Sequence, residues 1–265
     1  MTDSLIHFQN VDLIYDTAYA LRGIDLSIRR GEHCAIIGAN GSGKSTLIKL
    51  ISCELYPSYK SDPFCRDILE KSRWEIAELR KRLGVITNDI HWAFQMQGQN
   101  LRGYEAVLSG FNGTLGIFAH QTYTNEQHVI AHDALERLGI AHLGDKVLGN
   151  MSTGELRKIV VARALVHPID ALLLDEPTVG LDIKAQIDFI DMIRSLSRSG
   201  TTIILVTHHI EEIFEEINKV VLLSGGTIYA QGKKEETLNS QNISAIFDMK
   251  LALEREGEHY RIRSF

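Results

Sequence analysis

Apolar and polar residues alternate through IHFQNVDLIY and again through ALRGIDLSIRRGE, with turn residues between them, which predicts two strands of an antiparallel layer. HCAII follows as a short, β-branched apolar run that stops at a glycine-rich loop. The period then changes: STLIKLISCEL places Leu47, Leu50 and Ile51 on one helical face. Beyond the irregular stretch YPSYKSDPF, a charged run through WEIAELRKRL reads as helix and GVIT as strand. From about residue 100 to 165 the pattern is helical, with QHVIAHDALERLGI and TGELRKIVVARALV amphipathic and bounded by Gly and Pro. ALLLD and TTIILVTH read as buried strands flanking the helix AQIDFIDMIRSLSRSG, and that β-α-β order predicts a parallel sheet covered by helices. HIEEIFEEI reads as a helix after the second of these strands. The tail gives two short strands, KVVLLS and GTIYAQG, and a terminal helical segment.

Composition narrows the class only a little. The 265 residues are 44% hydrophobic and 23% charged, which suits a globular protein able to bury a core without disulfides or a structural metal. No repeat, low-complexity tract or Pro/Gly linker invites a cut into independent domains. The net charge of −6 leans away from a nucleic-acid partner. Cys34, Cys53 and Cys65 are odd in number and match no CxxC or zinc spacing, so reduced thiols are expected, with Cys34 a small core residue. The N-terminal MTDSLIHFQN has neither the basic nor the apolar region of a signal peptide. Runs such as TTIILV and VVLL are strand-length, too short to span a bilayer. A membrane role would be served from the water side.

Residues 38–45 read G-A-N-G-S-G-K-S, a full match to G-x-x-x-x-G-K-[ST]. Gly38, Gly41 and Gly43 open backbone conformations closed to other residues, so that N–H groups converge on phosphate oxygens. The helix starting near Ser45 points its positive end at the same place. Lys44 reaches the outer phosphates and Ser45 is a ligand for Mg²⁺. The cradle is assigned to Gly38, Ala39, Asn40, Gly41, Ser42, Gly43, Lys44, Ser45 and Thr46. A chance glycine turn is the bland alternative, but this loop follows an apolar strand and opens a helix.

A-L-L-L-D-E-P at 171–177 puts two acids at the C-terminal end of a buried strand, where ligands sit in open α/β sheets. Asp175 is placed to hold Mg²⁺ or its waters, and Glu176 to orient or deprotonate an attacking water. His208 ends another strand and is assigned a hydrogen bond to the terminal phosphate, while His209 faces outward. M-S-T-G-E at 151–155 reads as a capping box, Ser152 with Glu155, whose exposed N–H groups form an anion site.

With these motifs in this order, the chain resembles an ABC-type ATPase subunit over essentially its whole length. Gly38 to Ser45 match the Walker A loop, Leu172 to Glu176 match Walker B with its catalytic glutamate, Gly180, Leu181 and Asp182 match the D-loop, and His208 matches the switch histidine. Tyr15 lies where such proteins carry an aromatic that stacks on adenine. The resemblance implies a P-loop (RecA-like) α/β fold: a parallel-sheet core, about 1–90 and 166–265, with an N-terminal antiparallel β layer and an inserted α-helical subdomain, about 91–165, in a single domain 1–265. It also implies Mg²⁺ and ATP, and a head-to-tail dimer, of two like or unlike ABC domains, in which the Ser152, Gly154 and Glu155 segment of one subunit closes over ATP on the other.

Two departures stand out. The signature, usually L-S-G-G-Q, reads M-S-T-G-E, with Thr153 and Glu155 replacing glycine and glutamine. At the Q-loop, G-V-I-T-N-D offers Asn88 to Mg²⁺ in place of glutamine, on a stem one carbon shorter. S-T-G-E-x-R-K, R-W-E-I and L-S-G-F-N-G-T-L-G-I are similar to the ModF-like branch of molybdenum-transport or photorepair ATPases.

The function implied is the ATP-hydrolysing subunit of a transporter on the cytoplasmic face of a membrane, docked on a transmembrane permease through about residues 89–115. Trp92, Phe94, Tyr104 and Phe111 are docking candidates there and equally core candidates. The alternatives are a soluble ABC-type ATPase acting on nucleic acid or the ribosome, and a degenerate nucleotide sensor. No direct nucleic-acid contact is expected of the first reading.

Overall fold

The computed structural model describes residues 3–60, 62–257 and 259–264. β1 (Ser4–Tyr15) and β2 (Ala18–Arg29) pair antiparallel, turning where Asp16 takes φ 53°. Ile24, Leu26 and Ile28 point to the buried side of β2, the period-two pattern of a one-faced sheet. β3 (Cys34–Ile37) is buried along its whole length, and burial pushes the Cys34 thiol up to about 12. α1 (Lys44–Ile51) carries Leu47, Leu50 and Ile51 inward, as their spacing predicts. β4 (Cys65–Ile68) then completes the first layer on the free edge of β1.

α2 (Ile76–Arg80) leads to β5 (Leu83–Ile86). The helical stretch consists of α3 (Asn88–Gln97), α4 (Gly103–Leu108), α5 (Asn125–Arg137) and α6 (Thr153–Ala164). β6 (Ala171–Asp175), α7 (Ile183–Arg198) and β7 (Thr202–Thr207) form the expected strand-helix-strand run. β8 (Lys219–Ser224), β9 (Thr227–Lys233), α8 (Lys234–Thr237), α9 (Ser240–Phe247), β10 (Leu251–Glu256) and β11 (His259–Ser264) finish the chain.

Contacts divide the chain into two compact units. One comprises 1–79 and 196–265. In it β3 lies between β7 and β8, parallel to both, and β9 adds antiparallel to β8. The antiparallel layer β2-β1-β4 and the β10–β11 pair belong to the same unit. The other comprises 80–195 and holds the helical stretch with the parallel pair β5 and β6, whose entrances are tied by Arg82 to Asp170 at 2.7 Å.

Three expectations are corrected. WEIAELRKRL yields only the short α2. HIEEIFEEI is a single 3₁₀ turn, Ile210–Glu212, and not a helix. Glu212, Ile213 and Phe214 are consecutive and buried, which one helical face does not accommodate, and the Lys234 ammonium takes the carbonyls of Phe214 and Glu215 at 3.3 and 2.8 Å. Finally, the terminal helix α9 is followed by the β10–β11 hairpin, turning near Gly257 at φ 62°. Leu251, Leu253, Tyr260 and Ile262 share one face of the hairpin and Glu254, Glu256, Arg261 and Arg263 the other, a period-two pattern in two short runs that was not read as strands.

Candidate nucleotide site

In the first unit, buried β3 delivers the chain into the loop at 38–43. A Cβ on Gly38 would come within 2.4 Å of the Leu223 carbonyl oxygen and 2.5 Å of Ser42 Oγ, so this position admits no side chain. The loop turns back on itself through Ser42 N–H to Ala39 O (3.1 Å) and is pinned by Gly226 N–H to Ser42 O (3.0 Å). Gly43, at φ 104°, caps α1 from a conformation that L residues avoid. Lys44 is buried, and its ammonium lies over the loop, donating to Gly38 O at 2.8 Å and Ala39 O at 3.2 Å. Ser45 and Asn40 are exposed, and Ala39 and Thr46 half-buried, around the same helix start.

Ile37 and Thr207 are register partners on β3 and β7, so Gly38 and His208 leave the sheet side by side at its C-terminal edge. His208 is half-buried, its ring centroid 4.0 Å from that of the exposed His209. Tyr15 stands exposed at the β1–β2 turn, and the adjoining β2 residues Ala20 and Leu21 lie 3.0 Å from where a Gly43 Cβ would be. The hairpin therefore abuts the phosphate loop. It also exposes Tyr19, stacked on Arg22 at 5.3 Å, a second aromatic that the sequence reading passed over.

In the second unit, β5 and β6 are level at Ile86 and Leu174, so Asn88 and Glu176 each sit two residues beyond that point at one sheet edge. Asp175 and Glu176 are half-buried there, and Glu176 takes a positive φ of 46°, a strained conformation for a non-glycine residue. Ser152 caps α6 through the Glu155 N–H (3.2 Å), and the Glu155 carboxylate returns to the Ser152 N–H at 2.8 Å. Burial alone would raise the Glu155 carboxyl, but Lys146 at 2.7 Å and the Ser152 N–H hold it below the usual carboxylate range. Gly154 lies against the start of α7, where its Cβ would meet the Ala185 Cβ at 3.1 Å. Asp182 caps α7 through the Ala185 N–H at 2.8 Å.

Arg157 was missed as a site residue. It is buried on α6 and donates to the carbonyls of Glu176 (3.2 Å), Pro177 (2.5 Å) and Val179 (2.6 Å) and to Asn88 Oδ1 (3.0 Å). The signal in the sequence was a charge on the apolar stripe of α6, in line with Val160, Val161 and Ala164. Of the docking candidates, Trp92 is 62% exposed whereas Phe94 is fully buried, so these two aromatics of α3 do different jobs.

A glycine loop joining a buried strand to a helix start, and a pair of acids ending another buried strand, define an α/β nucleoside-triphosphate-binding protein. Known proteins agree. The model of the ABC transporter family matches residues 21–179. An uncharacterized ABC transporter ATP-binding protein of Methanocaldococcus jannaschii is 30% identical over 257 residues, covering 96% of this chain and 95% of that protein. The hemin import ATP-binding protein HmuV of Bradyrhizobium diazoefficiens is 32% identical over 242 residues, covering 88% and 84%. Among solved structures, cbiO1 from Clostridium perfringens, part of the ABC transporter complex cbiONQ, has a TM-score of 0.77 at 28% identity over 92% of this chain and 94% of that one. The chain belongs to the ABC transporter family, as an ATP-binding subunit that hydrolyses ATP. Among the described residues no helix is long and apolar enough to cross a membrane.

Proposed function

We propose that this chain drives import through a membrane permease by closing as a head-to-tail dimer around two ATP molecules and reopening on hydrolysis, with Glu176 as the residue that aligns the attacking water. The observation that carries the catalytic assignment is the placement of Glu176: next to Asp175, at the end of a wholly apolar strand, on a backbone turned by a positive φ. The loop at 38–45 fits a triphosphate, because its glycines leave no Cβ in the cradle and Lys44 supplies a buried ammonium. Magnesium is assigned to Ser45 and to Asp175 by the family resemblance, and when bound it would neutralise charge on the outer phosphates. His208 is assigned to the terminal phosphate, Tyr15 to the adenine, and Ser152, Gly154 and Glu155 to the ATP on the partner. Membrane attachment on the cytoplasmic face through a permease is supported by the resemblance of cbiO1, itself part of a transporter complex.

For the cargo, the similarity to HmuV supports a metal-containing solute, a reading in line with the resemblance of the S-T-G-E-x-R-K run to the ModF-like branch. Glu176→Gln is the test of the cycle. It should keep ATP affinity, lose turnover and accumulate an ATP-bound dimer on light scattering. Hydrolysis near the wild-type rate in this variant would refute the role of Glu176.

A further inference from the structure

We infer that Arg157 is a positioning residue for hydrolysis and that Asn88 serves as its partner, linking the Q-loop to the turn that carries Glu176. The juxtaposition behind this lies within one unit. A single buried guanidinium gathers the carbonyls of Glu176, Pro177 and Val179, and its second nitrogen also takes Asn88 Oδ1. Three of these four acceptors belong to the turn immediately after the catalytic strand. The turn closes on itself through Val179 N–H to Glu176 O (3.3 Å) and Leu181 N–H to Thr178 O (3.0 Å). It contains the positive-φ Glu176 and the flexible Gly180 at φ 80°. A planar five-donor cation suits this task, since one rigid fork fixes several acceptors in one geometry.

Asn88 Oδ1 meets a cation at 3.0 Å already, so a magnesium ion at the same oxygen would be repelled by the guanidinium. The asparagine therefore suits the arginine better than it suits the metal. The departure at the Q-loop thus has a partner in the structure: an arginine on α6, met by the shorter amide of Asn88. Placement of α6 is independently firm, through the Ser152–Glu155 cap at one end and Gly154 against Ala185. His91, one turn along α3 from Asn88, is buried beside Arg157 and the backbone of Thr153. Burial and the neighbouring Arg157 charge hold its pKa down, so the ring is neutral at pH 7 and adds no second cation to the cluster.

This inference rests on Glu176 as the water-aligning residue. The test compares the intact protein with Arg157→Ala, Arg157→Lys, Asn88→Ala and the double alanine variant. Four quantities are read: kcat, equilibrium affinity for a fluorescent ATP analogue, the Mg²⁺ concentration for half-maximal activity, and Tm. Arg157→Ala should lower kcat on the order of 10²-fold, the usual cost of misplacing a reacting group by about 1 Å, and change nucleotide affinity by less than about threefold. Asn88→Ala should lower kcat with its Mg²⁺ requirement unmoved, and the double variant should be no slower than Arg157→Ala alone, because the pair acts as a unit. Arg157→Lys keeps the charge without the fork and should fold with an intermediate kcat, which keeps the idea testable if Arg157→Ala does not fold.

A wild-type kcat in folded Arg157→Ala or Arg157→Lys overturns it. So does a roughly tenfold rise in the Mg²⁺ requirement of Asn88→Ala with effects that multiply in the double variant, since that would make Asn88 an independent metal ligand. Glu176→Gln, measured alongside, separates the two readings. Loss of turnover there together with full activity in the Arg157 variants sinks the clamp alone, whereas retained turnover there sinks the Glu176 assignment.

Discussion

The Lys44 ammonium donates to the carbonyl oxygen of Gly38 at 2.8 Å, so the lysine of the loop is held by the first residue of the same loop. This contact poises a buried charge at the mouth of α1, where the helix start favours anions. Lys44→Ala removes a charge-assisted interaction of about 2 kcal/mol, so ATP should bind about 30-fold more weakly. Fluorescence titration with a labelled nucleotide reads this directly, and unchanged affinity would mean that the loop binds through backbone groups alone.

Loop shape should respond differently at its two kinds of glycine. At Gly38 an added methyl meets backbone 2.4 Å away, whereas at Gly41 nothing lies within 4 Å and only the φ of 79° resists. Gly38→Ala should therefore cost about 1–3 kcal/mol of stability and abolish nucleotide binding. Gly41→Ala should cost about 1–2 kcal/mol and leave a weakened site. Thermal melts with and without ATP distinguish the two, and equal behaviour would contradict the packing described around Gly38.

Glu155, the charged departure in the signature, gains a partner that glutamine would not have. Glu155→Gln keeps the amide oxygen for the Ser152 N–H but loses the pairing with Lys146. Both side chains are about one-third exposed (36% for Lys146, 30% for Glu155), so the loss should be under about 1 kcal/mol and should vanish in high salt. Ser152→Ala removes the cap itself and should cost about 1 kcal/mol at any ionic strength. Urea midpoints at low and high salt test both statements.

Acid sensitivity should come from three imidazoles, His91 buried and His33 and His167 half-buried. Burial lowers the pKa of His33, His91 and His167 below the ordinary 6.5. Unfolded histidines then bind protons that the folded ones refuse, so stability is complete above about pH 6.5 and falls as the pH drops from there toward the folded values. His33 Nδ1 accepts the Ile203 N–H at 3.1 Å, a bond that protonation of that nitrogen would end. His33→Asn offers an amide oxygen in place of that nitrogen and should flatten the pH profile by up to about 1.4 kcal/mol per pH unit. Denaturant unfolding between pH 5 and 8 measures the slope, and an unaltered slope in the variant would remove His33 from this account.

Much of the fold was legible because its signals are local. The ends of ALLLD and KVVLLS coincide with β6 and β8, since a short apolar run between polar residues has few ways to be buried. The Ser152–Glu155 box was readable from two residues three apart. By contrast, HIEEIFEEI carried a helical spacing that was overruled by a lysine 20 residues from Phe214, whose ammonium draws on the segment's carbonyls. The β10–β11 hairpin was hidden because its strands bury little, with Leu251 and Tyr260 the inward anchors.

The sequence by itself determined the chemistry of the site: a glycine loop before Lys44, acids after an apolar run, and a cap before α6 are each written in consecutive residues, where backbone conformation and side-chain identity act over a few bonds. The tertiary structure alone decided who meets whom. That Gly38 has no room for a methyl, that Lys44 reaches back to it, and that Arg157 gathers Asn88 with the turn after Glu176 all depend on segments distant in sequence being packed to within hydrogen-bond range. No local pattern encodes such distances, because they are set by how strands register and helices stack once their apolar faces are buried.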